Sequence, residues 1–225
     1  MLRALPPLLP TLLLLTGLAR ADVGATLSVQ TDARERGLSY SDNRPGAQLG
    51  LAWDGEAGWY AGTSLAWARF ARHDTAALRA YGGRVVALRP GLNAEVGLLA
   101  YRFASVSSYD FVEAYAALLG ERWNLRLFAS PDYYGIGQRS VYGELNLRWP
   151  LAERAAAVAH VGWLRSWGGG QPGARRLDAR AGVSLQLGEG SELQLMRVAA
   201  GRGGPYIWLQ ATRASATVLN LSTAF

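Results

Sequence analysis

The sequence lacks cysteine and lysine and contains only two histidines among its 225 residues. Without cysteine the chain can form neither a disulfide nor a thiolate site for metal or redox chemistry. All 23 basic residues are arginines, and they form no continuous block of the kind that favours nucleic-acid binding. His73 and His160 have no further histidine or cysteine near them, so the sequence predicts no metal site, cofactor or nucleic-acid partner.

Long apolar runs are also missing after the amino terminus, although 50% of the residues are hydrophobic. A membrane-spanning helix needs a run of about 18 apolar residues or more. The apolar residues are dispersed instead, as alternating strands require. A chain of this length without a break in composition predicts one β domain over residues 22–225.

Residues 1–21 have the composition of an export signal. Arg3 precedes an apolar core at residues 12–15, and the small-x-small ending Ala19-Arg20-Ala21 predicts cleavage before Asp22. The alternative interpretation is a membrane anchor, but the apolar core is short and follows three prolines. We therefore expect a cleaved signal peptide.

Residues 215–225 alternate in period two and predict a strand that ends on Phe225. A strand at the edge of a sheet needs a partner, and in a closed barrel the first strand supplies it. The pattern also resembles the carboxy-terminal assembly signal of bacterial outer-membrane barrels, in which Phe follows an alternating strand.

About twelve alternating segments separated by turn residues make up the chain from Val23 onward. Short connections alternate with longer polar ones, as in a membrane barrel with tight periplasmic turns and larger external loops. We therefore predict an all-β fold, a transmembrane antiparallel β-barrel with up-and-down meander topology, in the bacterial outer membrane. The predicted segments lie at 23–36, 47–54, 59–70, 80–89, 92–103, 109–119, 123–129, 140–149, 155–166, 176–187, 191–199 and 212–225, with short connections at 55–58, 90–91, 120–121, 150–154 and 188–190.

Tryptophans on the predicted outward parity form two belts, one beside the short turns and one at the long-loop ends. Two such belts around an apolar band predict the aromatic girdle of a bilayer-spanning barrel. Outward charges are expected only at the long-loop ends, where arginine would meet lipid phosphates or solvent. The girdle residues are Trp53, Trp59, Trp67, Trp123, Trp149 and Trp163, and the outward charges are Arg69, Arg102, Asp110, Arg197 and Arg213.

Charged residues of both signs occupy the opposite parity and are predicted to line the lumen. One hypothesis is a narrow water-filled track in which these residues select solutes. The alternative is that neighbouring strands pair them and that they brace a plugged barrel. The predicted lumen residues are Asp32, Arg34, Arg36, Glu95, Glu113, Arg126, Glu144, Arg148, Asp178 and Arg180, with Arg176 beside them.

A lipid hydrolase, an activity known among outer-membrane barrels, needs a serine within hydrogen-bond reach of an oriented histidine. His73 is predicted in a long loop at 71–79. His160 is predicted to point into the lumen, and the residue two positions after it is Gly162 rather than a serine. Ser140 and Ser184 on flanking segments are able to approach His160, but no motif specifies either one. We therefore predict no enzymatic activity.

A family resemblance agrees with this fold. Residues 36–48, R-G-L-S-Y-S-D-N-R-P-G-A-Q, followed by G-W-Y-A-G at 58–62, resemble the opening of the bacterial Gcw_chp family of unassigned activity. Shorter pieces at 113–115, 130–135 and 160–162 agree, whereas Ala33 stands where the family usually has an aromatic residue. The resemblance implies an exported outer-membrane barrel and adds no catalytic residue.

The sequence thus favours a porin-like passive channel for small hydrophilic solutes in a Gram-negative outer membrane. The alternative is a non-transporting structural or surface-interaction barrel that acts through its long loops. Expected partners are outer-membrane lipid, lipopolysaccharide and, during biogenesis, the barrel-assembly machinery.

If Phe225 is part of an assembly signal, Phe225→Ala lowers the amount of protein inserted in the outer membrane. Quantifying the heat-modifiable, folded band in membrane fractions measures this amount. Insertion at the normal level would contradict the role.

Overall fold

The computed structural model describes residues 22–70, 73–169, 173–201 and 214–225. The predicted signal peptide and Arg213 lie outside these residues. In the described part of the chain, no helix has both the length and the apolar character needed to cross a membrane, a finding that does not bear on strands.

Fourteen strands follow one another along the described chain, and twelve of them close into an antiparallel barrel. Two short strands, β2 and β3, pair only with each other. The strands are β1 (Asp22–Gln30), β2 (Arg34–Glu35), β3 (Leu38–Ser39), β4 (Gly46–Asp54), β5 (Trp59–Phe70), β6 (His73–Arg89), β7 (Leu92–Phe103), β8 (Phe111–Gly120), β9 (Trp123–Ser130), β10 (Gln138–Ala152), β11 (Ala155–Gly168), β12 (Arg175–Gly188), β13 (Ser191–Ala200) and β14 (Ser215–Ala224). Single 3₁₀ turns lie at Glu56–Gly58, Ser107–Tyr109 and Tyr133–Gly135. This architecture confirms the predicted fold class.

The barrel closes where β1 pairs with β14, from Thr26 opposite Ala224 to Gln30 opposite Asn220. Beyond that register, the backbone N–H of Phe225 donates to the Ala25 carbonyl at 2.9 Å. The predicted terminal strand and its pairing with the first strand are therefore confirmed. The phenyl ring of Phe225 is exposed on the barrel exterior, and its role in assembly stays a prediction.

Side chains alternate between lumen and exterior along every strand, and the residues at the outward positions make the outer face of the barrel apolar. Leu98, for example, is 67% exposed although it lies in the middle of β7. Closed backbone pairing beneath such an apolar surface is the arrangement that a bilayer demands. The six predicted girdle tryptophans all lie exposed on this face, Trp53 and Trp59 beside a short turn and Trp67 and Trp163 near the opposite rim.

Two predicted boundaries are wrong by several residues, and β10 also continues to Ala152 into the predicted connection at 150–154. The first segment was expected to reach Arg36, but β1 ends at Gln30 and the chain then turns into the lumen. A long loop was expected over 71–79, but β6 begins at His73 and pairs with β5 up to Phe70. The alternation of residues 73–79 is interrupted because Asp74 lies at an outward position and Ala77 at an inward one, and this hid the strand.

An outward charge in the middle of the apolar band should destabilise the barrel more than one at its rim. We expect Leu98→Arg to lower the free energy of unfolding by about 2–4 kcal/mol, and Val112→Arg, at the loop end of β8, by roughly 0–1 kcal/mol. Denaturant titration of both variants in lipid vesicles measures this. Equal effects would contradict the placement of the bilayer.

Candidate functional site in the lumen

The segment between β1 and β4, residues 31–45, folds into the barrel, and we call it the inner loop. At its tip β2 and β3 form a hairpin whose turn residues Arg36 and Gly37 both have positive φ, 48° and 76°. Positive φ at both central positions is the requirement of a type I′ turn, and glycine meets it without strain. A Cβ at Gly37 would lie 2.6 Å from the Cβ of Ala200 and 2.8 Å from that of Asp178, so the tip packs tightly against the wall.

The inner loop holds its own shape through a polar network around Asp32. The Asp32 carboxylate accepts hydrogen bonds from Arg34 Nε at 2.6 Å and from Ser39 Oγ at 2.6 Å. Ser39 Oγ also accepts from the backbone N–H of Asn43 at 2.7 Å, and Ser41 Oγ accepts from that of Ala33 at 2.9 Å. Ser39, Ser41 and Asn43 belong to the stretch at 36–48 that carries the family resemblance, so part of that stretch maintains the shape of the inner loop.

Arg36 fixes the tip of the hairpin across the lumen. Its guanidinium makes two hydrogen bonds to the Glu113 carboxylate on β8, at 2.9 and 2.5 Å, and a third to the Tyr133 hydroxyl at 2.9 Å. The guanidinium also lies over the ring of Tyr142, 4.3 Å from its centroid. From the other wall, Arg176 on β12 donates to the Arg36 carbonyl at 2.6 Å. A charge buried at this depth needs such a complete set of partners.

Glu35 and Tyr40 attach the inner loop to the wall nearest β5–β7. Glu35 forms an ion pair with Arg79 on β6 and accepts a hydrogen bond from the Tyr101 hydroxyl at 2.5 Å. The Tyr40 carbonyl accepts a hydrogen bond from the backbone N–H of Arg69. The Tyr40 hydroxyl forms a hydrogen bond with the Tyr134 hydroxyl. Burial raises the pKa of the Tyr134 phenol above its ordinary value.

A second ionic layer lies on the wall formed by β5–β10. Glu95 accepts from Arg126 at 2.6 Å and from the Tyr60 hydroxyl at 2.5 Å, and Glu144 lies 3.8 Å from the same arginine. All of these groups are buried. Carboxylates and arginines of different strands are therefore paired, as the braced-barrel alternative described.

His160 lies in a third cluster on β11. Its Nε2 is 2.9 Å from the Asp178 carboxylate and its Nδ1 is 2.7 Å from the side-chain oxygen of Asn146. The register places Asn146 and Arg180 opposite His160, whereas Ser184 lies opposite Ala156 and Ser140 opposite Ser166, at other levels of β11. The described residues thus bring no serine to His160, and the two serines considered for a hydrolase lie elsewhere.

Among the described residues, a cavity lies on each of two sides of the inner loop. The larger, about 70 Å³, lies between the loop and the β11–β14 wall, where Arg180, His160 and Asn220 face Met196 and Val198. The smaller, about 40 Å³, lies against Tyr60, Tyr81 and Leu99 on the other wall. Because a water molecule needs roughly 10–15 Å³ of such space, each cavity has room for a few waters.

The ten predicted lumen residues all lie inside the barrel, but some are on barrel strands and others are on the inner loop. Seven of them extend from the strands as predicted, and Arg148 among these pairs with Glu192 at 2.9 Å near the short-turn end. Asp32, Arg34 and Arg36 lie on the inner loop rather than on an extension of β1, which corrects the prediction. The strand-borne set is Glu95, Glu113, Arg126, Glu144, Arg148, Asp178 and Arg180.

Among the described residues, sequence analysis missed the buried lumen charges Glu35, Arg79 and Glu192. Continuing the alternation of Tyr81 and Gly83 back along β6 would have found Arg79, and that of Gln194 and Met196 would have found Glu192. No local signal marks Glu35, because its inward position depends on the path of the inner loop.

Comparison with known proteins assigns the chain to a bacterial family and agrees with the barrel fold. A family model described as a bacterial protein of unknown function, Gcw_chp, matches residues 16–213. No curated protein matches the chain.

Similar solved structures include two porins and an outer-membrane channel. They include the KdgM porin in complex with disordered oligogalacturonate, with a TM-score of 0.55 at 9% identity over 90% of this chain and 97% of that one. The NanC porin gives 0.55 at 9% identity, covering 91% and 99%. An outer-membrane channel from Pseudomonas putida F1 gives 0.51 at 13% identity, covering 93% and 96%. At these identities the likeness shows the fold alone.

The fit of Gly37 predicts that Gly37→Ala loosens the inner loop. Alanine at positive φ costs about 1–2 kcal/mol, and its Cβ would clash with Ala200 and Asp178. We expect trypsin to cleave after Arg34 or Arg36 in the folded variant but not in the parent. Gly188→Ala is the matched control, since a Cβ there meets nothing within 4 Å. Resistance of both variants would contradict the packing of the tip.

Proposed function

For this chain, which belongs to the bacterial Gcw_chp family of unknown function, we propose a role as a narrow passive diffusion channel of the outer membrane. The solutes would be small and hydrophilic. The observation that carries the proposal is the polar cavity beside the inner loop, inside a closed barrel with an apolar exterior. Such an exterior is stable only in lipid, whereas paired charges along the interior favour water.

The inner loop limits the size of the solutes that can pass through the proposed channel. Twelve strands enclose more space than wall side chains alone fill, and the hairpin occupies much of it. A solute would pass between the hairpin and the β11–β14 wall. There it would meet Arg180, His160 and Asn220 on one side and Met196 and Val198 on the other.

Charge balance in the lumen argues for solutes without a strong net charge. Most described lumen arginines face a carboxylate, as Arg36 faces Glu113 and Arg126 faces Glu95. A row of unpaired charges of one sign would favour ions of the other sign. Paired rows instead present donors and acceptors together, which suits polar, uncharged or zwitterionic molecules.

A second candidate is a non-transporting structural or surface-interaction barrel. The observation that favours it is the same hairpin, because the cavities that it leaves are small. In that case deletion of residues 130–139 would abolish function through the lost loop. A lipid hydrolase receives no support from the surroundings of His160.

Single-channel recording in planar bilayers tests the channel. The parent should show discrete steps, and Glu35→Gln/Arg36→Gln, which removes both ionic anchors of the hairpin, should raise their size about twofold or more. Arg148→Gln/Glu192→Gln is the control, since it removes one lumen ion pair away from the inner loop. Folded parent protein without any steps would overturn the channel, and unchanged steps in the first variant would overturn the size limit.

A further inference from the structure

Three arginines stand together on the outer face of the loop-end rim. Arg139 begins the outward row of β10, Arg165 lies near the end of β11, and Arg175 begins β12. All three are exposed, and none forms an ion pair with any described residue. We call them the rim arginines.

Strand register brings these like charges together. Arg165 is directly opposite Arg175 across the β11–β12 pair, where Cβ atoms lie about 4.5–5.5 Å apart. Arg139 is opposite Trp167 and therefore diagonal to Arg165. Like charges directly opposite destabilise a sheet, so an anion bound between them would stabilise this one.

The protein supplies no carboxylate to this part of the rim. Between residues 138 and 214 the acidic residues are Glu144, Asp178 and Glu192, which face the lumen, and Glu153 and Glu189, which lie in short turns at the opposite end. In the preceding loop, Asp132 accepts a hydrogen bond from the backbone N–H of Gly137. The other half of the rim differs, because Arg69 lies 3.6 Å from Asp74 and Arg102 lies 3.9 Å from Asp110.

Neighbouring tryptophans indicate the depth of the rim arginines. Trp163 and Trp167 flank Arg165 on the same outward face of β11 and are 42% and 41% exposed. Tryptophan on the exterior of a membrane barrel lies at the headgroup level. Arg165 is two residues beyond Trp163, about 7 Å toward the loop end, at the depth where lipid phosphates begin.

We propose that the rim arginines bind the phosphate groups of a phosphorylated glycolipid of the outer leaflet. Guanidinium groups bind phosphate oxygens through paired hydrogen bonds, and the flanking indoles contact the acyl and sugar portions. The site faces lipid rather than the lumen, so it goes beyond the channel and does not depend on conduction. It also differs from the positions predicted from sequence, since Arg69 and Arg102 face carboxylates and Arg197 donates to Thr217 and Ser215.

Binding of bisphosphorylated lipid A to the purified full-length barrel in detergent tests the site by native mass spectrometry. Arg165→Gln/Arg175→Gln should weaken binding about tenfold or more through the loss of charge-assisted hydrogen bonds. Arg69→Gln/Arg102→Gln, on the same rim but facing carboxylates, should change it by less than about twofold. Heat-dependent gel mobility verifies folding of each variant. Arg165→Lys, which retains the charge but not the planar fork, should give an intermediate loss and serves if the double variant does not fold.

Two further ligands separate the sources of affinity. Dephosphorylated lipid A should bind no better to the parent than to Arg165→Gln/Arg175→Gln, and inorganic phosphate should bind much more weakly than the intact lipid. The proposal is overturned if dephosphorylated lipid binds as tightly as the bisphosphorylated form. Equal losses in both double variants, or inorganic phosphate binding as tightly as the lipid, would overturn it too.

Discussion

Every backbone N–H and C=O at the depth of a bilayer must find a partner within the protein, and this constraint shapes the rest of the molecule. It requires the first and last barrel strands to meet, and β1 does so with β14 between Thr26 and Gln30. Closure around twelve strands then creates an interior wider than wall side chains fill. The inner loop occupies that interior, so the hairpin is a consequence of the barrel's circumference as well as of its own sequence.

The interior is held by ion pairs, and their cost explains their arrangement. Removing one partner of a buried pair commonly costs about 3–5 kcal/mol, because the other charge is left without compensation. Arg36 is accordingly surrounded by Glu113, Tyr133 and Tyr142, while Glu35 is held by Arg79 and Tyr101. These contacts hold the hairpin against β6–β10, while its tip at Gly37 also packs against Asp178 and Ala200. The larger polar cavity lies beside the tip, on the β11–β14 side. The contacts that position the hairpin therefore also determine where the cavity lies.

Local sequence predicted most of the barrel, because period two and turn residues act over a few residues. The strand count is confirmed on that basis, the short connections lie near their predicted places although β10 continues to Ala152, and the predicted tryptophans lie on the exterior. The path of the inner loop was not predicted, since it depends on contacts such as Arg36 with Glu113, 77 residues apart. Alternation alone placed Asp32, Arg34 and Arg36 inside, yet attached them to the wrong element. Glu35 was missed for the same reason, as its inward position follows from the turn at Arg36 and Gly37.

The central claim is that the inner loop lies within the lumen when the protein is in a membrane. Solid-state NMR of the barrel in lipid, with ¹⁵N-arginine and ¹³C-glutamate, measures the dipolar coupling between the Arg36 guanidinium and the Glu113 carboxylate. The hydrogen bonds of 2.9 and 2.5 Å between these groups predict a strong coupling that disappears in Arg36→Gln. If the folded parent and Arg36→Gln gave the same couplings, the placement of the inner loop in the lumen would be contradicted.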